Sequence, residues 1–333
     1  MFLSYIKIFK FFKYNPHTIE LVRKNKNNLT ASFKLLIEKL WPNENKQLSQ
    51  KKYYPPEEFK KKISDMNPLF KGIAANDAKD LVNFIIMTLH EELNKVKNKD
   101  INVNDELFDQ RNKQEIFDYF IKNFALKNQS VIRDLFYSTN CTITQCLNCN
   151  NQLYNYQIYF FIVFPLEEVR KFKSQFINNQ FNMNINEVNI YECFEYDKKI
   201  NYMNGANRMY CNNCRIETDS SMFTYLVTSP QILILLLNRG KGIEFNIKIN
   251  FVEILDLSNY IEFKNTGYKY KLIGVITHIG ESSMIGHFIS YCRDPINEKW
   301  FKYNDAIVTP VNNFQKEVID FGMPYILFYQ KVK

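Results

Sequence analysis

The sequence predicts an α+β fold: helices in the first third, then a mostly antiparallel sheet. Three observations carry this. Apolar residues recur at helical spacing through the first third of the chain. After Cys149 the pattern changes to runs rich in aromatic and β-branched residues, which read as strands. Two C-x-x-C pairs, Cys146/Cys149 and Cys211/Cys214, lie within the strand-rich part.

Taken in order, the chain opens on MFLSYIKIFKFFKY. Lys7, Lys10 and Lys13 interrupt its apolar run and no small-residue cleavage site follows, so it is a poor signal peptide. It reads as a basic amphipathic membrane helix or, preferably, as a core helix with a lysine face. Phe33, Leu36, Ile37, Leu40 and Trp41 mark a helix that Pro42 stops. Residues 56–65 form a short helix opening on Pro-Glu-Glu. The clearest helix begins near Asp77, with Val82, Ile85, Ile86, Leu89 and Leu93 on one stripe. His90 and Glu91 lie on it, but Asn94 stands where an H-E-x-x-H zinc motif needs its second histidine. After a polar connector at 96–112, Ile116, Phe117, Phe120, Ile121 and Phe124 mark a fourth helix. The run LYNYQIYFFIVFPL reads as strand, and 167–187 as a polar, Asn-rich loop or insertion. Strands are expected at 222–228, 231–237, 268–277, 285–292, 299–303 and 324–330, with no internal repeat.

The 333 residues suffice for one large domain or two average ones, and 46% apolar content supports a substantial core. The uniform excess of Lys, Asn, Ile, Phe and Tyr reads as base composition. The net charge of +8 comes from scattered lysines without a glycine-and-aromatic RNA-binding motif, so it reads as a solvated surface with no nucleic-acid partner. No stretch of 18 uncharged apolar residues is present, which excludes a membrane-spanning helix.

Seven cysteines, four of them in C-x-x-C pairs, point to metal in a reducing compartment, cytoplasmic or nuclear, and not to a disulfide framework. The two-residue gap lets both thiolates of a pair face one ion. Two pairs complete a closed, tetrahedral, structural zinc site, one ion per chain. The separation between the pairs exceeds that of a compact zinc ribbon, so long strands must bring them together. Cys141, Cys193 and Cys292 are left as small core hydrophobes.

GHFISYCRDPINEKWFKYNDA places His287 on a strand and Asn304-Asp305 on the next. A short connection can set Asn304 or Asp305 beside the ring, as in the Cys-His-Asn form of the catalytic triad. By itself this pairing is a weak signal.

The chain as a whole resembles the catalytic domain of the ubiquitin-specific proteases, papain-like cysteine peptidases. ANDAKDLVNFIIMTLHEELN at 75–94 is similar to the family's Q-Q-D-A-x-E-F-L box, and CLNC and YCNNC to its zinc-knuckle finger. SPQILILLLNR, at 229–239, is similar to its P-x-x-L-x-x-x-L-K-R-F strand. YKLIGVITHIGESSMIGHFISYCRD with KWFKYNDAIV resembles the histidine box, and PYILFYQ the closing strand. The resemblance implies one domain over 1–333 shaped as a hand. Its parts are a helical thumb over 1–130, zinc fingers with part of the palm over 131–230, and the rest of the palm over 231–333. It implies His287 as general base, Asn304 as the residue orienting it, and Asp305 as an assisting neighbour. It further implies a monomer, ubiquitin or ubiquitinated proteins as partners, and a Gly280–Ile285 loop bordering the channel for the ubiquitin tail.

The chain departs from the pattern at its start. The family's G-L-x-N-x-G-N-T-C-Y nucleophile box is missing, and the first cysteine is Cys141. MFLSYIKIFKFFKYNP is similar to the stretch that follows the box. The expectation is a chain inactive as written, through a start downstream of the box or, as the alternative, a pseudopeptidase that keeps the ubiquitin-gripping scaffold. Cys292 is a poor substitute, because an odd separation along a strand turns it and His287 to opposite faces. Smaller departures are Ala75 and Asn76 for the paired glutamines, Asp80 for the glutamate, and Asn238-Arg239-Gly240 for K-R-F.

Overall fold

A computed structural model describes residues 16–24, 28–40, 55–72, 76–97, 112–176, 186–239, 246–263, 268–280, 286–294 and 297–332. The opening segment to Tyr14, most of the 96–112 connector and most of the Gly280–Ile285 loop lie outside the described residues.

The helical part comprises α1 (Pro16–Lys24), α2 (Leu29–Leu40), α3 (Glu57–Met66), α4 (Ala78–Leu93), α5 (Lys113–Lys127) and α6 (Val131–Phe136). Four of these starts, those of α2, α4, α5 and α6, carry a side-chain cap. Asn28 caps α2 by accepting from Ala31 N at 2.7 Å, while Glu92 of α4 takes the Leu29 and Thr30 amides at 2.8 and 2.7 Å. Asp77 caps α4 through Lys79 N, and Asn112 caps α5 through Gln114 N and Glu115 N. The α4 stripe Val82, Ile85, Ile86, Leu89 and Leu93 is buried, as its spacing predicts.

Strands follow: β1 (Ser138–Cys146), β2 (Gln152–Tyr159) and β3 (Ile162–Pro165). The run expected as one strand after Cys149 is two. β2 pairs β1 in a four-stranded sheet, and β3 joins the eight-stranded one through the strand Ile232–Asn238. The expected loop at 167–187 is in part a helix, α7 (Leu166–Phe176), whose Leu166 and Val169 are wholly buried. Next come β4 (Glu187–Asn189) and α8 (Ile190–Asp197), which opens on an Asn189/Glu192 capping box. The remaining strands are β5 (Asn201–Met203), β6 (Met209–Cys211), β7 (Ile216–Thr218), β8 (Ser220–Leu226), β9 (Ile232–Asn238), β10 (Lys248–Asn250), β11 (Ile254–Asp256), β12 (Lys269–Ile279), β13 (His287–Arg293), β14 (Trp300–Asn304), β15 (Ile307–Pro310) and β16 (Pro324–Lys331).

The large sheet runs β15-β14-β13-β12-β16-β9-β3, with β11 also paired to β12. Its pairings are antiparallel except β3 with β9. Both faces of β9 are covered. Leu233, Leu235 and Leu237 join one core cluster with α7 and α8, and Ile232, Ile234 and Leu236 join a second with α2, α4 and α6. That is why ILILLL reads as an unbroken apolar run. The four-stranded sheet, β2-β1-β8-β5, is hydrogen-bonded separately, and its β1 ends at the first cysteine pair. Helix α5 lays Ile116, Phe117 and Phe120 on its base cluster of Cys141, Ile143, Tyr156 and Val227.

Candidate active site and metal centre

The β13–β14 register runs from Arg293↔Trp300 to Ser290↔Tyr303. Continued outward, it sets His287 opposite Ala306, with Asn304 its diagonal neighbour on the same face. The side chains meet there, His287 Nε2 lying 2.7 Å from Asn304 Oδ1. An amide oxygen only accepts, so Nε2 carries the proton and the Nδ1 lone pair is left for chemistry. Asp305 turns the chain at φ +50°, a left-handed conformation that Asp tolerates. Its carboxylate is 3.7 Å from Nε2, but the side chain is 82% exposed, so water screens its field at the ring. His287 itself is 47% exposed and open to a reactant.

A second histidine has a similar set of partners and a different meaning. His90 Nδ1 is 2.6 Å from Ser130 Oγ, and Nε2 is 3.1 Å from Asn128 Oδ1. This has the outline of a Ser-His-Asn triad. However, His90 and Ser130 are 4% and 3% exposed, and Ser130 already caps α6 by accepting from Arg133 N. No substrate reaches them; the pair ties α4 to the start of α6.

At the far end of the finger sheet the four predicted ligands converge. The Sγ atoms of Cys146, Cys149, Cys211 and Cys214 all lie within 4.8 Å of one another. Cys146–Cys214 is 3.9 Å and Cys149–Cys211 3.6 Å, too long for disulfides. A tetrahedron with Zn–S of about 2.3 Å has edges of about 3.8 Å, so the donor set fits one zinc ion. The first knuckle is the β1–β2 turn and the second the β6–β7 turn. Leu147 N donates to Asp219 O at 2.9 Å and closes the gap between them. The thiols ionise unequally. The Thr218 hydroxyl, with backbone donors at Cys149 and Asn148, lowers Cys146 to about 6. Cys214, despite the Asn148 amide, is pushed up to about 12 by its thiol neighbours. A divalent cation at the centre removes that mutual penalty. Cys141, Cys193 and Cys292 are buried elsewhere, as expected of core thiols.

Residues 1–329 match the sequence profile of the family described as ubiquitin carboxyl-terminal hydrolase. The chain belongs to that family. Among its relatives, chicken ubiquitin carboxyl-terminal hydrolase 2 is 24% identical over 311 residues, covering 91% of this chain and 80% of that protein. The human protein of the same name is 25% identical over 312 residues, covering 91% of this chain and 47% of that one. Baker's-yeast ubiquitin carboxyl-terminal hydrolase 9 is 28% identical over 296 residues, covering 84% and 34%. The chain thus spans half or less of the human and yeast proteins. The SAGA DUB module (Ubp8/Sgf11/Sus1/Sgf73) bound to monoubiquitin superposes with a TM-score of 0.68 at 17% identity, over 100% of this chain and 67% of that one. The module bound to ubiquitin aldehyde gives 0.64 at 18%, over 100% and 68%. The fold is therefore the papain-like hand of the ubiquitin hydrolases. It combines the α1–α6 helices, the large sheet and the smaller sheet that ends at the cysteines.

Sequence reasoning found both constellations. It missed Tyr325, whose hydroxyl reaches both Asp77 carboxylate oxygens at 2.8 Å and ties the closing strand to the head of α4. It also missed the environment of His278, buried at 8% beside Gly286. Each joins residues far apart in the chain or on neighbouring strands, and no local spacing reports such a contact.

Proposed function

We propose that this chain is the ubiquitin-gripping part of a deubiquitinating cysteine peptidase, with His287 as general base and Asn304 as the residue that orients it. The observation that carries this is the 2.7 Å Nε2–Oδ1 contact on a solvent-open histidine, in a chain that matches the family along nearly its whole length. A thiol facing Nδ1 transfers its proton to the ring, giving a thiolate–imidazolium pair. The thiolate attacks the carbonyl of ubiquitin's last glycine. As the C–N bond breaks, Nδ1–H protonates the leaving lysine amine, and a thioester remains. The ring then takes a proton from water, whose oxygen attacks the thioester and frees ubiquitin and the thiol. Asn304 accepts from Nε2–H throughout and keeps Nδ1 aimed at the reacting atoms. Asp305, nearby but solvated, adds a weak attraction for the imidazolium.

The four cysteines would hold one structural zinc ion. It supplies four bonds that pin the two knuckles together, and the chemistry at His287 makes no use of it. The partner is ubiquitin or a ubiquitinated protein, met by a monomer in the cytoplasm or nucleus.

The thiol is not among the seven cysteines. Four cluster in the fingers, and Cys141 and Cys193 lie in the finger-base and palm cores. Cys292 is buried on β13, an odd step from His287. This distribution also favours a second reading, a non-hydrolysing ubiquitin-binding domain. One experiment separates the two. The 333-residue chain is assayed on a ubiquitin-tail fluorogenic substrate beside a form extended upstream in frame. Activity of the extended form that His287→Ala removes supports the peptidase. Ubiquitin binding without turnover in both supports the binding domain.

A further inference from the structure

In the β12–β13 pairing, His278 stands opposite Phe288, and Ile279 opposite His287. Side chains alternate along a strand, so His278 and Phe288 share one face and His287 takes the other. Position 286 belongs to the face of His278, and it holds a glycine. A Cβ built on Gly286 would overlap Cε1 and Nε2 of His278 and lie 2.6 Å from Ile279 O. The backbone of Gly286 is not in the left-handed region, so conformational freedom is not what demands glycine there. What demands it is the imidazole ring, which occupies the volume of the missing side chain.

That ring is itself held in place. It meets Phe288 edge-on, with centroids 4.8 Å apart at 67°, and Phe288 packs on Tyr325 at 5.5 Å. Tyr325 is anchored by its hydroxyl, which lies 2.8 Å from both carboxylate oxygens of Asp77 and donates to that group. Burial, reinforced by the positive charge of Arg239, holds the His278 imidazole below its usual pKa against an opposing pull from Asp77. The ring is neutral near pH 7 and packs as a flat, rigid plate.

We propose that His278 is a positioning residue for His287: its ring is the floor on which the Gly286–His287 backbone rests, and this contact directs the His287 side chain onto Asn304. The role rests on the reading of His287 as the base, but its test uses neither ubiquitin nor turnover. A small loss of support under residue 286 shifts the Cα–Cβ direction of His287. The 2.7 Å bond to Asn304 tolerates little of that before the ring is released.

The test is long-range proton–nitrogen NMR of the imidazoles in the zinc-loaded, 333-residue chain. Its four histidines are assigned through a His287→Gln spectrum. In the native protein His287 should show the pure Nε2–H tautomer. His278→Ala, which removes the floor, and Gly286→Ala, which collides with it, should each convert His287 to an averaged mixture. The His90 signals should stay unchanged and certify the fold. The double variant places a methyl at 286 in the space vacated by the His278 ring, which relieves the collision and restores part of the support, and should lie closer to the native tautomer than either single variant. A pure Nε2–H tautomer in His278→Ala, or a double variant no nearer native than the singles, overturns the proposal. The tautomer result stands or falls independently of ubiquitin binding, whose failure in a separate titration would remove the peptidase reading and leave the positioning role intact.

Discussion

His287 and Asn304 meet at 2.7 Å, Nε2 to Oδ1, although their strands are paired only as far as Ser290 and Tyr303. The contact is a diagonal one beyond the last β13–β14 pair, with His287 paired to Ile279 of β12 and Asn304 to Ile307 of β15. Its integrity therefore depends on what surrounds it. In a form carrying a thiol nucleophile, His287→Ala should lower kcat by about 10²–10⁴-fold. Asn304→Ala should lower it less, on the order of 10–100-fold, as expected for a partner that orients a histidine. Both should leave ubiquitin affinity, read by calorimetry, within about twofold. A fall in affinity with kcat unchanged would place these residues in binding instead.

The four thiols predict the metal content. Elemental analysis of the purified chain should give one zinc per molecule. Cys146→Ser or Cys211→Ser should bring it near zero, because three thiolates no longer close the tetrahedron. The same variants should lower Tm, since zinc binding at such sites contributes directly to folding. A zinc content unaffected by either substitution would remove the finger assignment.

Tyr325 and Asp77 join the last strand to the head of α4. Tyr325→Phe deletes a hydrogen bond shared between both oxygens of a carboxylate and should cost about 1.5–3 kcal/mol in urea denaturation. Asp77→Ala should cost more, because the same carboxylate also accepts from Lys79 N at 2.7 Å as the cap of α4. Equal stability of Tyr325→Phe and the native chain would show that the bonds carry no net weight.

Asp197 gives a pH-dependent prediction. Burial raises its carboxyl from 3.8 to about 6, against a weaker pull from Lys199. Between those pH values the unfolded chain has released this proton and the folded chain keeps it. The stabilising contribution is thus present below the unfolded value and is lost as pH rises through about 6. Asp197→Asn should leave Tm nearly unchanged at pH 4 and raise it at pH 7.5. A Tm difference that is constant across this range, or that reverses, would contradict the assignment.

What could be read from the sequence follows from how each element buries its residues. α4 was plain because five apolar residues at helical spacing make one continuous buried stripe. β9 was plain because both faces are covered and no polar residue interrupts it. α7 was not, although Leu166, Val169, Phe172 and Phe176 fall on one side of LEEVRKFKSQF: the high polar content of the stretch around it masked this stripe. The capping box at Asn189 was a signal for α8 that the surrounding Asn-rich stretch concealed. The break between β2 and β3 falls inside an unbroken aromatic run. Tertiary packing decides there which sheet each half joins, with Tyr137 stacked on Phe160 at 5.2 Å. The His287–Asn304 pair and the four cysteines were legible because their chemistry restricts residue type and spacing together. The His278–Gly286 contact was not, because a glycine fitted beneath a ring looks like any other glycine.

The central claim is that these residues form a ubiquitin-gripping hand, and titration calorimetry tests it most directly. Mono-ubiquitin is titrated into the folded, zinc-loaded 333-residue chain, and the same sample is then assayed with a ubiquitin-tail fluorogenic substrate. The account predicts saturable one-to-one binding with no turnover. Absence of binding by a folded, zinc-loaded sample would contradict it.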